Sequence, residues 1–244
     1  MPTVETRLPS PAATDARELE RIRGVYRKRG TALLPPRYWR TQPDHLYRAH
    51  EKEVAMVALF RAAGLRSLDG LRILDVGCGR GETLRQFLEY GATPELLWGI
   101  DLMQEYVLES RRLGAHLKVL CGSAGQLPFA DGSFHMVCQS MVFTSVLQEG
   151  TRQRIAGEIR RVLASGGKFL WYDFVYNNPW NPDVRGVKRR EIERLFPGFH
   201  IKLRRITVAP PLGRILGWLG PVAYHLVART RLLCTHYLCL MEKQ

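Results

Sequence analysis

The sequence predicts an α/β fold, a doubly wound and mostly parallel sheet. Three observations carry this reading. Short apolar runs alternate with amphipathic helical stretches between Leu71 and Val175, the pattern of repeated strand-helix-strand units. The first run, Ile73 to Val76, breaks into glycines at 77, 79 and 81 and passes at once into helical sequence. The second, Leu96 to Asp101, ends in an acid about 20 residues past the last of those glycines, so that a parallel connection sets Asp101 beside the turn.

In chain order, residues 1–14, rich in Pro, Thr and Ala, read as a mobile tail. Residues 15–65 read as a helical cap on a main domain spanning 66–244. The cap holds a charged helix from Asp15 with Leu19, Ile22 and Val25 or Tyr26 along one side. A break follows at Pro35, Pro36 and Pro43, then a helix over 46–63 with an apolar stripe through Val54, Val57, Ala58 and Phe60. Its aromatics Tyr26, Tyr38, Trp39 and Tyr47 are expected to pack against the main domain. The glycine turn permits positive φ and close backbone approach, and the next helix aims free N–H groups at whatever sits there. The spacing G-x-G-x-G behind Asp75 is not the dinucleotide fingerprint, and no Gly-Lys-Ser/Thr follows for a phosphate loop. Asp75 would repel a pyrophosphate but accept hydrogen bonds from a cationic, hydroxyl-rich ligand. Asp101 can accept from both hydroxyls of a ribose.

A helix over Gln104 to Leu113, a strand over His116 to Cys121 and a fourth strand over Met136 to Gln139 follow. Thr151 to Ala164 reads as a helix with Ile155, Ile159, Val162 and Leu163 on one face and its arginines elsewhere. Ser165-Gly166-Gly167 should close it before a fifth strand, Lys168 to Val175. The loop beyond is polar, and with the strand end it offers Tyr172, Asp173, Asn177, Asn178 and Arg185 to an acceptor. A short basic helix, Lys188 to Phe196, precedes two strands at 200–208 and 232–241. Residues 176–231 form an acceptor-side loop and lid. Within them, 210–231 is too apolar for a loop and too short to span a bilayer, which takes about 20 residues; it fits a packed lid or a membrane-surface helix.

The 244 residues, 45% of them hydrophobic, suffice for one sizeable α/β domain with additions, and the formal net charge of +13 should attract anions such as nucleic acid, acidic lipid or a phosphorylated substrate. Cysteines 78, 121, 138, 234 and 239 show no C-x-x-C pair and read as small buried residues in a reducing compartment, not as metal ligands. No apolar leader opens the chain, so the expected location is cytoplasmic, with peripheral membrane contact through 210–231.

The acid followed by G-x-G-x-G resembles motif I of the class I S-adenosylmethionine-dependent methyltransferases. Further likeness lies in Ala124, Leu127-Pro128-Phe129 and Phe134, and in Glu158 to Gly167, matching the type usually numbered 11 over roughly 46–175. Ser123 replaces the usual acid and His135 the usual aspartate. The resemblance implies a seven-stranded sheet with a reversed last strand, an N-terminal cap that folds over the cofactor and an insertion between the last two strands. It implies S-adenosylmethionine as cofactor and S-adenosylhomocysteine as product. The cofactor would be held by Asp75, Gly77, Cys78, Gly79 and Gly81, by Asp101 and Leu102, by Ser123 and Ala124, and by Gln139 and Ser140.

A general base is optional for this chemistry; Asp173 and His236 are the candidates, whereas His225 and His200 belong to the lid and sheet surface. DNA is not expected as partner, because no N/D-P-P-Y/F motif follows the fourth strand and Asn177-Asn178-Pro179-Trp180 comes one strand too late. The C-terminal third resembles bacterial small-molecule methyltransferases of glycan or natural-product pathways. This implies transfer to an oxygen of a sugar, phenol or lipid-linked acceptor. An RNA methyltransferase and a non-catalytic cofactor-binding protein are the alternatives, and the oligomeric state stays open.

Overall fold

A computed structural model describes residues 13–29, 41–179 and 181–244. Tyr38, Trp39 and Trp180, Pro35 and Pro36, and the tail up to residue 12 lie outside the described residues. The expected tail ends sooner than residue 14, because helix α1 spans Ala13–Arg29. Pro43 does not interrupt the chain but opens helix α2, Pro43–Ala62, in the first turn, where a missing N–H costs nothing.

The sheet strands are β1 (Ile73–Val76), β2 (Leu97–Asp101), β3 (Lys118–Cys121), β4 (Phe134–Ser140), β5 (Leu163–Phe174), β6 (Phe199–His200), β7 (Arg204–Val208) and β8 (Cys234–Lys243). Their order is β3-β2-β1-β4-β5-β8-β6, with β7 also pairing β8. β1 to β5 are mutually parallel and β8 runs against β5, β6 and β7. The single strand expected at 200–208 is two short ones beside β8, so eight strands fill seven positions. β5 starts at Leu163, not at Lys168, since α6 (Glu149–Val162) ends early. A register shift between Phe134 and Met136 absorbs the added residues.

Being central, β1 is buried at all four positions. Helices cover both faces. On one, α2 and α3 (Glu82–Glu89) bury Met56, Phe60, Leu84 and Phe87. Full burial of each such side chain contributes roughly 2 kcal/mol before entropy is counted. On the other, α6 and α7 (Arg189–Leu195) cover Phe143, Phe169, Trp171 and Phe196, whose rings interlock at 4.7–6.1 Å. Helices α8 (Pro210–Leu219) and α9 (Pro221–Thr230) form the insertion between β7 and β8, packing Leu216, Tyr224 and Ala228 toward α2 and Tyr47. Among the described residues no helix is long and apolar enough to cross a membrane.

Two helix faces differ from the sequence reading. Val54 is 54% exposed and the buried side of α2 runs through Asp44, Ala55, Met56 and Phe60. Arg152 is fully buried, not on the outer face of α6. Its guanidinium donates to the Val146 and Arg185 carbonyls (2.7 and 2.9 Å) and to Glu191 (2.6 Å), which neutralises it.

Candidate cofactor site

The carboxyl ends of β1, β2 and β4 meet at a cavity of about 770 Å3, mouth included. Gly77 and Gly79 line it with φ of 70° and 52°, a region L side chains enter only at a cost. A Cβ on Gly77 would overlap the Val142 side chain, whereas one on Gly79 would meet open space. The turn therefore leaves its backbone bare toward the cavity. Asp101, at the tip of β2, completes the frame. Its Oδ2 accepts the Gly79 N–H at 2.8 Å and its Oδ1 the Met103 N–H at 2.9 Å. Burial pushes this carboxyl up while the Met103 and Gly79 N–H groups pull it down, leaving it above the ordinary carboxylate range. Each oxygen keeps a free lone pair for a ligand hydroxyl.

Leu102, Met103 and Tyr106 extend the wall on the β2 side, and Gly122, Ser123 and Ala124 extend it after β3. Ser140 and Met141 close it at the end of β4, where Met141 holds a φ of 67°, strained for a non-glycine residue. The last wall comes from outside the sheet. Leu19, Ile22 and Tyr26 of α1 line the cavity. They are held there by Glu18 accepting the Leu147 N–H (2.6 Å), Arg21 donating to the Ser145 carbonyl (2.7 Å) and the Tyr26 hydroxyl paired with Ser145 Oγ (2.9 Å). Burial raises the Glu18 carboxyl, but Arg21 and the Leu147 N–H outweigh it and hold the group below its usual value.

Of the residues singled out by sequence, Gly77, Gly79, Asp101, Leu102, Ser123, Ala124 and Ser140 are brought together on this cavity. Others stand behind it. Asp75 is buried under the turn, where Oδ1 accepts the Cys138 thiol at 3.4 Å; burial pushes it up to about 7 against the pull of Cys138 and Lys52. Cys78 is buried against Gly99, Gly81 starts α3, and Gln139 accepts the Val142 N–H at 3.0 Å.

Asp173 and His236, the two candidate bases, are both buried and do not line this cavity. Asp173 is fully buried; its oxygens take the Phe174 and Thr144 N–H groups (2.9 and 3.1 Å), which anchors the short helix α5, Val142–Ser145. Its raised pKa of about 7 reflects that burial. His236 stacks on Tyr172 at 4.7 Å and packs on Phe174 at 3.9 Å, and burial drops it to about 3. Nor do the four acceptor candidates line the cavity. The Tyr172 hydroxyl pairs with Thr207 at 2.9 Å, Asn177 accepts the Gly186 N–H at 3.0 Å, Arg185 pairs with Glu191 at 2.7 Å, and Asn178 sits exposed in the loop.

Lys52 escaped the sequence reading. From α2 it donates to Ser140 Oγ at 3.3 Å and lies 4.3 Å over the Tyr172 ring, and burial lowers its pKa despite Asp75 nearby. It shares a helix face with Ala55 and Met56, and a lysine at that period among buried apolar residues was the signal available.

Residues 74–171 match the family described as "Methyltransferase domain". The chain is 26% identical over 179 residues to the 24-methylenesterol C-methyltransferase 2 of Oryza sativa subsp. japonica, covering 68% of this chain and 45% of that protein. It is 31% identical over 112 residues to the tRNA N(3)-cytidine methyltransferase METTL2 of Gallus gallus, covering 42% and 30% respectively. It thus spans less than half the length of either relative. Among solved structures, the S-adenosylmethionine dependent methyltransferase from Mesorhizobium loti superposes with a TM-score of 0.57 over 77% of this chain and 96% of that one, at 18% identity. The shared fold is the Rossmann-like methyltransferase sheet, and the domain match implies S-adenosylmethionine as the cofactor.

Proposed function

We propose that this chain transfers the methyl group of S-adenosylmethionine to a small-molecule acceptor, an oxygen of a sugar, phenol or lipid-linked intermediate. The observation that carries the reading is Asp101, a carboxylate fixed by two backbone N–H groups at the rim of a cavity whose floor is bare glycine backbone. The residues present fit the cofactor. Asp101 would hold the ribose hydroxyls, Gly77, Gly79 and Ser140 the amino-acid part, and Leu102, Ser123 and Ala124 the adenine. Lys52, bonded to Ser140, brings positive charge near the end where a carboxylate would lie.

The cofactor supplies an already electrophilic methyl group. What the protein adds is position and exclusion of water. Among the described residues, the ionisable side chains lining the cavity besides Asp101 are Tyr26 and Tyr106. Neither sequestered candidate base reaches it. The cavity mouth would therefore hold an acceptor oxygen in line with that methyl group; as the oxygen–methyl bond formed, neutral S-adenosylhomocysteine would leave and water would take the acceptor's proton. Docking of α1 completes the enclosure.

Two relatives with different named acceptors, a sterol and a tRNA, leave the acceptor to experiment. The net charge of +13 favours RNA as the second reading. The deciding experiment titrates S-adenosylhomocysteine calorimetrically and then offers labelled S-adenosylmethionine with glycans, phenols, lipid-linked sugars and tRNA. Transfer to a small acceptor supports the proposal, transfer to tRNA replaces it, and binding without transfer to any acceptor returns the chain to a non-catalytic role.

A further inference from the structure

We infer that the outer face of the α8–α9 hairpin, with the arginine-walled cavity beside it, docks the protein on the surface of an anionic phospholipid bilayer. The inner face of the hairpin is spent on the fold, with Gly213, Leu216, Tyr224 and Ala228 buried. Among the described residues the outer face is apolar and uncovered. Trp218 is 91% exposed, and Ile215, Leu219, Val222 and Leu226 are each exposed by more than half. The helical spacing of 215, 218 and 219 on α8 and of 222 and 226 on α9 places these side chains on one side of each helix. A tryptophan among aliphatic side chains on a short helix suits the boundary between headgroups and acyl chains.

The charge carried by the hairpin itself has one sign. Between Glu193 and Glu242 the chain has no acidic residue, while Arg204, Arg205, Arg214, Arg229 and Arg231 all fall in that interval. Arg204, Arg205, Arg229 and Arg231 wall a second cavity of about 1040 Å3, mouth included, with His50 and His225. Among the described residues its one carboxylate, Glu51, is engaged by the Thr207 N–H and the Tyr224 hydroxyl, both at 3.0 Å. The Arg204 Nε is buried there without a partner. A basic recess next to an apolar, tryptophan-bearing face matches lipid phosphate above acyl chain.

The same charges argue against other occupants. A second copy joined through the same face would bring arginine against arginine, and the carboxylate described there, Glu51, is already engaged by Thr207 and Tyr224. A nucleic acid would satisfy the arginines and leave five large apolar side chains in water. The inference rests on this face alone and holds whether or not the chain transfers methyl groups.

The test is flotation of the full chain with vesicles of phosphatidylcholine alone, or of phosphatidylcholine mixed with phosphatidylglycerol. Wild-type protein should float with the mixed vesicles and stay behind with the neutral ones, with binding weakened as salt is raised. Trp218→Ser/Leu226→Ser and, separately, Arg229→Glu/Arg231→Glu should each cut bound protein about tenfold. All four positions are solvent-exposed, and unchanged circular dichroism and S-adenosylhomocysteine binding would show that the fold survives. Three results would overturn the inference: no flotation with anionic vesicles, flotation indifferent to Trp218 and Leu226, or sedimentation of a dimer that the Trp218→Ser/Leu226→Ser change dissolves.

Discussion

Asp101→Asn changes one atom and one charge at the point on which the cofactor site turns. Each carboxylate oxygen already takes one backbone N–H, from Gly79 at 2.8 Å and Met103 at 2.9 Å, and keeps one lone pair for a ribose hydroxyl. Asparagine keeps one acceptor; its NH2 must face either the glycine turn or the start of helix α4, Gln104–Leu113, so one of those N–H groups loses its partner. Hydrogen bonds to a charged acceptor contribute about 1.5–3 kcal/mol against about 0.5–1.5 for neutral ones. Losing the charge on two of them should therefore cost about 2–3 kcal/mol of cofactor binding, roughly 30- to 150-fold in Kd. Calorimetry with S-adenosylhomocysteine, with the melting temperature measured alongside, reads this directly. Because Asp101 is held above the ordinary carboxylate range, wild-type affinity should also fall as pH drops toward that raised value, while the variant stays flat. A Kd within threefold of wild type in a variant that melts normally would refute the ribose assignment.

Other positions give independent checks. Gly77→Ala must hold an L residue at a φ of 70° and drive a methyl into Val142, and should lower stability by about 2 kcal/mol or more in thermal unfolding. Asp75, pushed from 3.8 to about 7, favours the folded state when protonated. Its contribution is thus complete below 3.8 and lost as pH rises through about 7, so Asp75→Asn should melt with a shallower decline than wild type between those values. Glu18 has the opposite sign. Held low by Arg21 and Leu147, it supports α1 above its unfolded pKa and lets go as pH falls. Glu18→Gln should raise amide exchange over residues 16–26 at neutral pH and weaken cofactor binding about tenfold, with little change in global melting; an unchanged exchange pattern would detach α1 from the site.

The parts of this architecture visible in the sequence are those set by local rules. The glycine turn, Asp101 at a strand tip and the alternation of strands and helices each follow from a short window of residues. What was missed depends on partners far along the chain. Arg152 occupies the buried period of its helix with Ile155, Ala156 and Ile159, but charge argued for solvent until Glu191 and the Arg185 carbonyl supplied what burial requires. Helix α2 is a similar case. It lies between the sheet and the α8–α9 hairpin, so both sides are partly covered and polar residues such as Asp44, Glu51 and Lys52 belong to part-buried networks. An apolar stripe is then a poor guide to its inner face, and Lys52 stayed hidden. Asp173 was placed correctly at a strand end, yet its oxygens serve the neighbouring backbone.

The sheet ends in β3 on one side and in β6 and β7, both beside β8, on the other, and the composition of these edges bears on how the protein behaves in concentrated solution. Lys118 lies on one edge and Arg204 and Arg205 on the other, and the second edge is broken between His200 and Arg204 and carries the left-handed backbone of Thr207, at φ 66°, inside β7. Two molecules meeting edge to edge would oppose like charges along strands too short and irregular to form a long ladder. Colloidal stability is thus built into the rims of the sheet at low ionic strength, and added salt, by screening those charges, removes part of that protection.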